Sequence, residues 1–214
     1  IRKEGVIYHG GLLRFFHGFR VKETLQAKYH FPVAAHNDGK AAALAELATG
    51  HLKGVTNGAA LVLGSGLGGG IIINGKLFQG SHFQAGELTF LLPLQMEKLD
   101  PSLMQGTTLS AIGLITKVNE ILARLDLKDG LLAFKAINAK KEAVYPIFET
   151  YCRNLAITIL NLQTIFDMET FVLGGGISAQ SILIEEVNRQ FDKVHHEIDF
   201  IGKIIKRPKI VACH

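Results

Sequence analysis

The apolar positions of this chain fall into two rhythms. Val144, Ile147 with Phe148, Tyr151 with Cys152, Leu155, Ile159 and Leu162 recur every three or four residues, the stripe of a long amphipathic helix. Leu109, Ile112, Ile115, Val118, Ile121 or Leu122, and Leu125 predict a second such helix before it, and Ile182, Val187, Phe191, Val194 and Ile198 a last one after it. Nearer the start, "GKAAALAELATG" is helical by its Ala, Leu and Glu content, with Gly50 as its C-terminal cap. Between these segments lie short, β-branched-rich runs that predict strands: 6–8, 33–35, 59–63, 71–73, "ETFVL" and the closing "KIVACH". Strands alternating with long helices argue for an α/β fold. No internal repeat or low-complexity linker interrupts the pattern.

Two glycine runs punctuate it. In "LVLGSGLGGGIIINGK", Gly64, Gly66, Gly68, Gly69 and Gly70 lie between two apolar runs, and Asn74-Gly75 signals a tight hairpin. That order is strand, glycine turn, strand, which removes the dinucleotide-binding reading, whose glycines open a helix. A tight turn without a ligand is one account of the loop. The other is an anion site, since glycines let backbone N–H groups approach a phosphate closely and Ser65 adds a hydroxyl. The second run, Gly174, Gly175 and Gly176, follows a strand and opens a helix, a place where α/β folds hold ligands. The two runs together could flank one nucleotide.

Composition narrows the classes. Among 214 residues, 48% are hydrophobic and 20% charged, enough apolar material for a sizeable core. The net charge of +4 is mild, and the densest basic cluster, Lys203, Lys206, Arg207 and Lys209, has no interleaved aromatics. It reads as a solvated face rather than a nucleic-acid stripe. Two distant cysteines exclude a disulfide framework and a Cys-rich zinc site, and the histidines show no metal-ligand spacing. Gly54 to Gly75 carries no charge and could span a bilayer by length, but its glycines and asparagines predict a hairpin instead. No signal peptide is visible, and the opening "IRKEGVIYHG" lacks a Met, so the chain reads as a fragment.

Two acidic positions are candidates for chemistry. Asn37-Asp38 directly precedes a helix, where both residue types are preferred caps. Capping and catalysis are compatible there, because a carboxylate at a helix N-terminus is held in a fixed place, and a hydroxyl being phosphorylated needs a proton acceptor. Glu87, in the turn "QAGEL", is either a surface glutamate or a ligand-binding one. Cys152 lies on an apolar helix face and reads as core.

Taken in order, "HNDGKAAALAE", "LVLGSGLGGGIIINGKLFQG", "QAGEL" and "FVLGGGIS" resemble the ROK family of repressors, open reading frames and sugar kinases. The resemblance covers essentially the whole chain. It implies an actin-like, hexokinase-type ATPase fold (ribonuclease H-like), in which two α/β domains close over ATP and sugar. By that resemblance Asp38 would be the general base, and Asn37 and Glu87 would bind sugar hydroxyls. Gly64, Ser65, Gly66 and Gly68 would line the β- and γ-phosphates, and Gly174, Gly175 and Gly176 the adenosine. The implied cofactors are ATP and Mg²⁺, and the implied assembly is a homodimer.

There are departures from the family pattern. The N-terminal Asp-x-Gly-Gly-Thr phosphate segment is absent, so 1–36 is expected to be a remnant of the smaller domain and 37–214 the larger ATP- and sugar-binding one. The chain by itself is therefore expected to be inactive. Phe90 stands where many members carry His, and no Cys occurs between 88 and 151, so no zinc is expected. The expectation is a cytoplasmic, glucokinase-like hexose kinase. The alternatives are a sugar-responsive transcriptional regulator with an upstream DNA-binding segment, and an inactive interaction domain, which Phe90 suggests.

Overall fold

The computed structural model describes residues 1, 4–8, 13–92, 100–197 and 199–214. Its centre is one sheet of five strands, which in chain order are β1 (Gly58–Leu63), β2 (Leu67–Ile73), β3 (Lys76–Phe78), β4 (Thr170–Gly174) and β5 (Lys209–Ala212). They lie in the order β3-β2-β1-β4-β5. β1, β2 and β3 form an antiparallel meander, whereas β1–β4 and β4–β5 are parallel. The helices are α1 (Val21–Tyr29), α2 (Asp38–Thr49), α3 (Gln105–Thr108), α4 (Ala111–Ile121), α5 (Gly130–Asn138), α6 (Tyr145–Phe166), α7 (Ser181–His196) and α8 (Asp199–Ile204).

Alternation along the strands sorts the core into two layers. Leu61, Leu63, Ile71, Phe171 and Leu173 join the large cluster that includes Phe148, Leu155 and Ile159 of α6 and Val187 and Phe191 of α7. Ala60, Ile72 and Val172 join Ala43 of α2 and Leu52 in a smaller cluster. The sheet is thus covered on both faces, as its near-continuous apolar strands require. α6 buries Phe148, Tyr151, Cys152, Leu155, Ile159 and Leu162, the stripe its spacing predicts.

Several expectations are adjusted. Val33, Ala34 and Ala35 pair with no strand, and of 6–8 only Val6 forms a bridge, to Arg20. β-branched residues make a strand only where a partner edge is available. β2 begins at Leu67 rather than at Ile71, so Gly68, Gly69 and Gly70 pair with Val62, Leu61 and Ala60 inside the sheet. α4 buries Ala111, Leu114 and Val118, while Ile112 and Leu125 are exposed. The every-third-or-fourth list mixed two faces, and the Ser110 cap, accepting from Gly113 N at 3.0 Å, sets the true phase. α5 was not anticipated. His9 to Leu12 of the first aromatic loop, Pro93 and Ile198 lie outside the described residues.

The charge-free run from Gly54 to Gly75 is the β1–β2 hairpin and its turns. Among the described residues no helix is long and apolar enough to cross a membrane. Lys203, Lys206, Arg207 and Lys209 are exposed, and Arg207 is paired with Asp192 at 2.6 Å.

Candidate active site

The site is assembled around the glycines of β2. Asn37 caps α2 by accepting from Lys40 N at 3.3 Å, and Asp38, the first helical residue, is exposed, with one carboxylate oxygen accepting from Gly39 N at 2.9 Å. Behind them, α2 lies directly on the strand. A Cβ on Gly70 would sit 2.5 Å from the Ala43 methyl and 2.8 Å from the Gly39 oxygen. Only a strand without side chains admits a helix this closely.

The Glu87 turn approaches the same strand. β3 pairs only with Ile71 to Ile73, so the edge of β2 beyond Ile71 has no ladder partner from β3. The 79–87 loop passes there, with Gly86 in the left-handed region (φ 83°) and the position of its missing Cβ 2.8 Å from the Gly69 oxygen. A Cβ on Gly69 would meet the Leu88 side chain at 2.7 Å. Glu87, half-buried, precedes the 3₁₀ turn Leu88–Phe90. The glycines of β2 therefore draw the Asp38 and Glu87 segments in on one short stretch of backbone.

The two glycine turns also meet. Gly175 has φ 99°, and a Cβ there would lie 2.1 Å from the Leu63 oxygen, so the turn after β4 is pressed onto the end of β1. Together they open a cleft of about 510 Å³ lined by Gly64, Ser65, Gly176, Ile112, Ile115 and Asp129, with further residues of α4, α5 and the start of α7. Space in front of Gly64 and Gly176 is open. Gly66 is not on this cleft: a Cβ there would meet Thr89 Oγ1 at 3.1 Å. Gly174 packs on Cys213, whose sulfur would be 2.7 Å from an added Cβ, and Gly68 faces Val62 and Gly39. Of the seven residues expected to hold nucleotide, Gly64, Ser65 and Gly176 line the cleft, Gly175 presses its turn onto β1, and Gly66, Gly68 and Gly174 pack against protein away from it.

The apolar wall of the cleft escaped sequence reasoning. Ile112 and Ile115 had been assigned to the core stripe, and Asp129, Gly130, Leu131 and Phe134 belong to the unanticipated α5 and its cap. Asp129 accepts from Leu132 N at 2.9 Å, and Asn119, fully buried, donates to the Asp129 carbonyl at 3.0 Å. An Asp-Gly pair before an apolar run was the available signal. Among the described residues no group of three or more His, Cys, Asp or Glu could hold a metal ion.

The ROK family model matches residues 2–199 of the sequence. The chain belongs to the ROK family. A ROK relative from Listeria monocytogenes, named a β-glucoside kinase, is 30% identical over 194 residues, spanning 89% of this chain and 65% of that protein's length. The solved structure of a ROK family protein from Streptococcus pneumoniae in complex with sucrose is 29% identical, covers 100% of this chain and 71% of that one, and superposes with a TM-score of 0.82. A ROK glucokinase from Streptomyces griseus, solved with glucose and AMPPNP, shares the fold at 22% identity and a TM-score of 0.74, over 92% of this chain and 68% of that one. The actin-like, hexokinase-type expectation for the fold is thereby met.

Proposed function

We propose that the protein is an ATP-dependent sugar kinase acting on a hexose-class substrate, with Asp38 as general base. The observation that carries this reading is the convergence on β2: Gly39 and Gly86, each beside a polar or acidic candidate, both pack against Gly69, on the strand that follows the glycine turn lining an open cleft. The name of the Listeria relative supports the kinase over the regulator reading.

In this reading Asn37 and Glu87 hydrogen-bond sugar hydroxyls, and Asp38 accepts the proton of the hydroxyl that attacks the γ-phosphorus. Gly64 and Ser65 face the phosphates, the Ser65 N–H and hydroxyl acting as preorganised donors for developing charge, while Gly66 and Gly68 hold the shape of the turn. Gly176 bounds the adenosine end against the apolar wall of Ile112 and Ile115, with Gly174 and Gly175 holding the turn that presents it. The open glycine surface and this wall fit a nucleotide, whose Mg²⁺, when bound, neutralises charge on the transferred group. Residues 1–36 belong to the smaller domain, whose closure over the cleft completes the site, and 37–214 form the larger domain.

Replacing Asp38 with Asn in the full-length protein tests the assignment. Loss of a general base lowers kcat by roughly 10²–10⁴-fold, while sugar binding followed by calorimetry persists. Undiminished turnover removes Asp38 from the role, and absence of wild-type ATP consumption with all hexoses and N-acetylhexosamines removes the kinase reading.

A further inference from the structure

Lys40 breaks two local rules. It occupies the first turn of α2, at the positive end of the helix, where cations are disfavoured, and it is only 4% exposed. An ammonium buried without a partner is costly, so such a lysine persists only where something answers its charge. Its Nζ donates to the carbonyl oxygen of Phe83, 43 positions along the chain. Phe83 itself has φ 60°, a left-handed conformation that a bulky residue rarely holds unaided.

We propose that Lys40 is a positioning residue: it latches the 79–87 loop to the start of α2 and thereby holds the Glu87 carboxylate in place beside the Asp38 turn. The purpose of the latch rests on the kinase reading above. The latch itself rests on geometry. The loop's backbone hydrogen bonds from Ala85 N to Gln79 O at 3.1 Å, Phe83 N to Gly80 O at 3.4 Å and Glu87 N to Gln84 O at 3.3 Å are internal to it. β3 is too short to hold it by a ladder. Among the described residues, Lys40 supplies the hydrogen bond that joins this loop to α2. Burial pulls the Lys40 ammonium below the usual lysine range, and the Glu87 carboxylate opposes that shift, so the two charges interact.

The test uses Lys40→Met, Glu87→Gln and the double variant in the full-length protein. By hydrogen–deuterium exchange, Lys40→Met should speed exchange across 79–87 on the order of tenfold, leaving β1 and β4 unchanged. The sugar KM should rise on the order of tenfold with the ATP KM unmoved. In the Glu87→Gln background the same change should add less than about twofold, because it acts through a carboxylate already gone. Unchanged exchange over 79–87, or losses in sugar KM that multiply in the double variant, overturns the proposal. Should Lys40→Met fail to fold, Lys40→Gln, which keeps an uncharged donor on a shorter stem, runs the same cycle. If the wild type phosphorylates no sugar, the kinase reading falls, and the exchange measurement alone still decides the latch.

Discussion

Gly39, in the first turn of α2, rests on the backbone of Gly69 in β2: a methyl on Gly39 would lie 2.5 Å from the Gly69 nitrogen and 2.9 Å from its oxygen. This contact fixes how deeply the helix carrying Asp38 sits against the sheet, and neither partner can yield, since both sides are main chain.

Gly39→Ala should therefore destabilise the protein although alanine is the better helix former. The propensity gain is about 1 kcal/mol at most, while overpacking against an immovable strand costs about 1–3 kcal/mol. Urea unfolding should show a lowered midpoint with unchanged slope, and sugar affinity should fall more than ATP affinity. A stabilised variant would show that the helix can ride outward freely.

Gly175 and Gly176 are adjacent but should respond oppositely. Gly175→Ala places a Cβ on the Leu63 carbonyl at a positive φ, and thermal unfolding should register a loss of about 1–3 kcal/mol. A Cβ on Gly176 has no protein atom within 4 Å, so Gly176→Val should leave stability within about 0.5 kcal/mol. It fills the cleft, however, so the KM for ATP should rise while the sugar KM holds.

The bracket between α6 and α7 predicts a pH profile. Burial would raise the carboxyl of Glu186, but hydrogen bonds from Arg189, Gln190 and Tyr145 outweigh it and hold the group below its ordinary 4.5. A depressed acid stabilises the fold above its unfolded value, and that contribution is lost as pH falls from about 4.5 through the folded value. Tyr145 runs the other way: burial and the Glu186 bond push it up from 10 to about 12, so its contribution is full below pH 10 and is lost as pH rises toward 12. Urea midpoints measured against pH should show a shallower acid limb in Glu186→Gln and a shallower alkaline limb in Tyr145→Phe. Limbs that match the wild type would remove these groups from the linkage.

Local signals were sufficient wherever one short stretch carried the whole instruction. The stripe of α6, the Gly50 end of α2, the Asn74-Gly75 hairpin and the apolar β4 each follow from periods and turn chemistry within a few residues. Asn37 was legible as a cap for the same reason, and the four ordered motifs were legible as a family because their combination is specific.

What periodicity could not separate was purpose among like residues. Ile112 and Leu114 are equivalent to a hydropathy count, yet one faces the cleft and the other the core. The glycines of "GSGLGGG" look uniform, but Gly64 opens onto the cleft while Gly69 and Gly70 admit a loop and a helix. Nothing within "GKAAALAELATG" singles out Lys40, because its partner, the Phe83 carbonyl, lies 43 positions away. Elements and family were thus set by neighbours in sequence, through backbone preference and burial period. The approach of the Asp38 and Glu87 segments was decided by packing across β2, because close approach depends on which surfaces have no side chains, and that becomes visible only when the surfaces face each other.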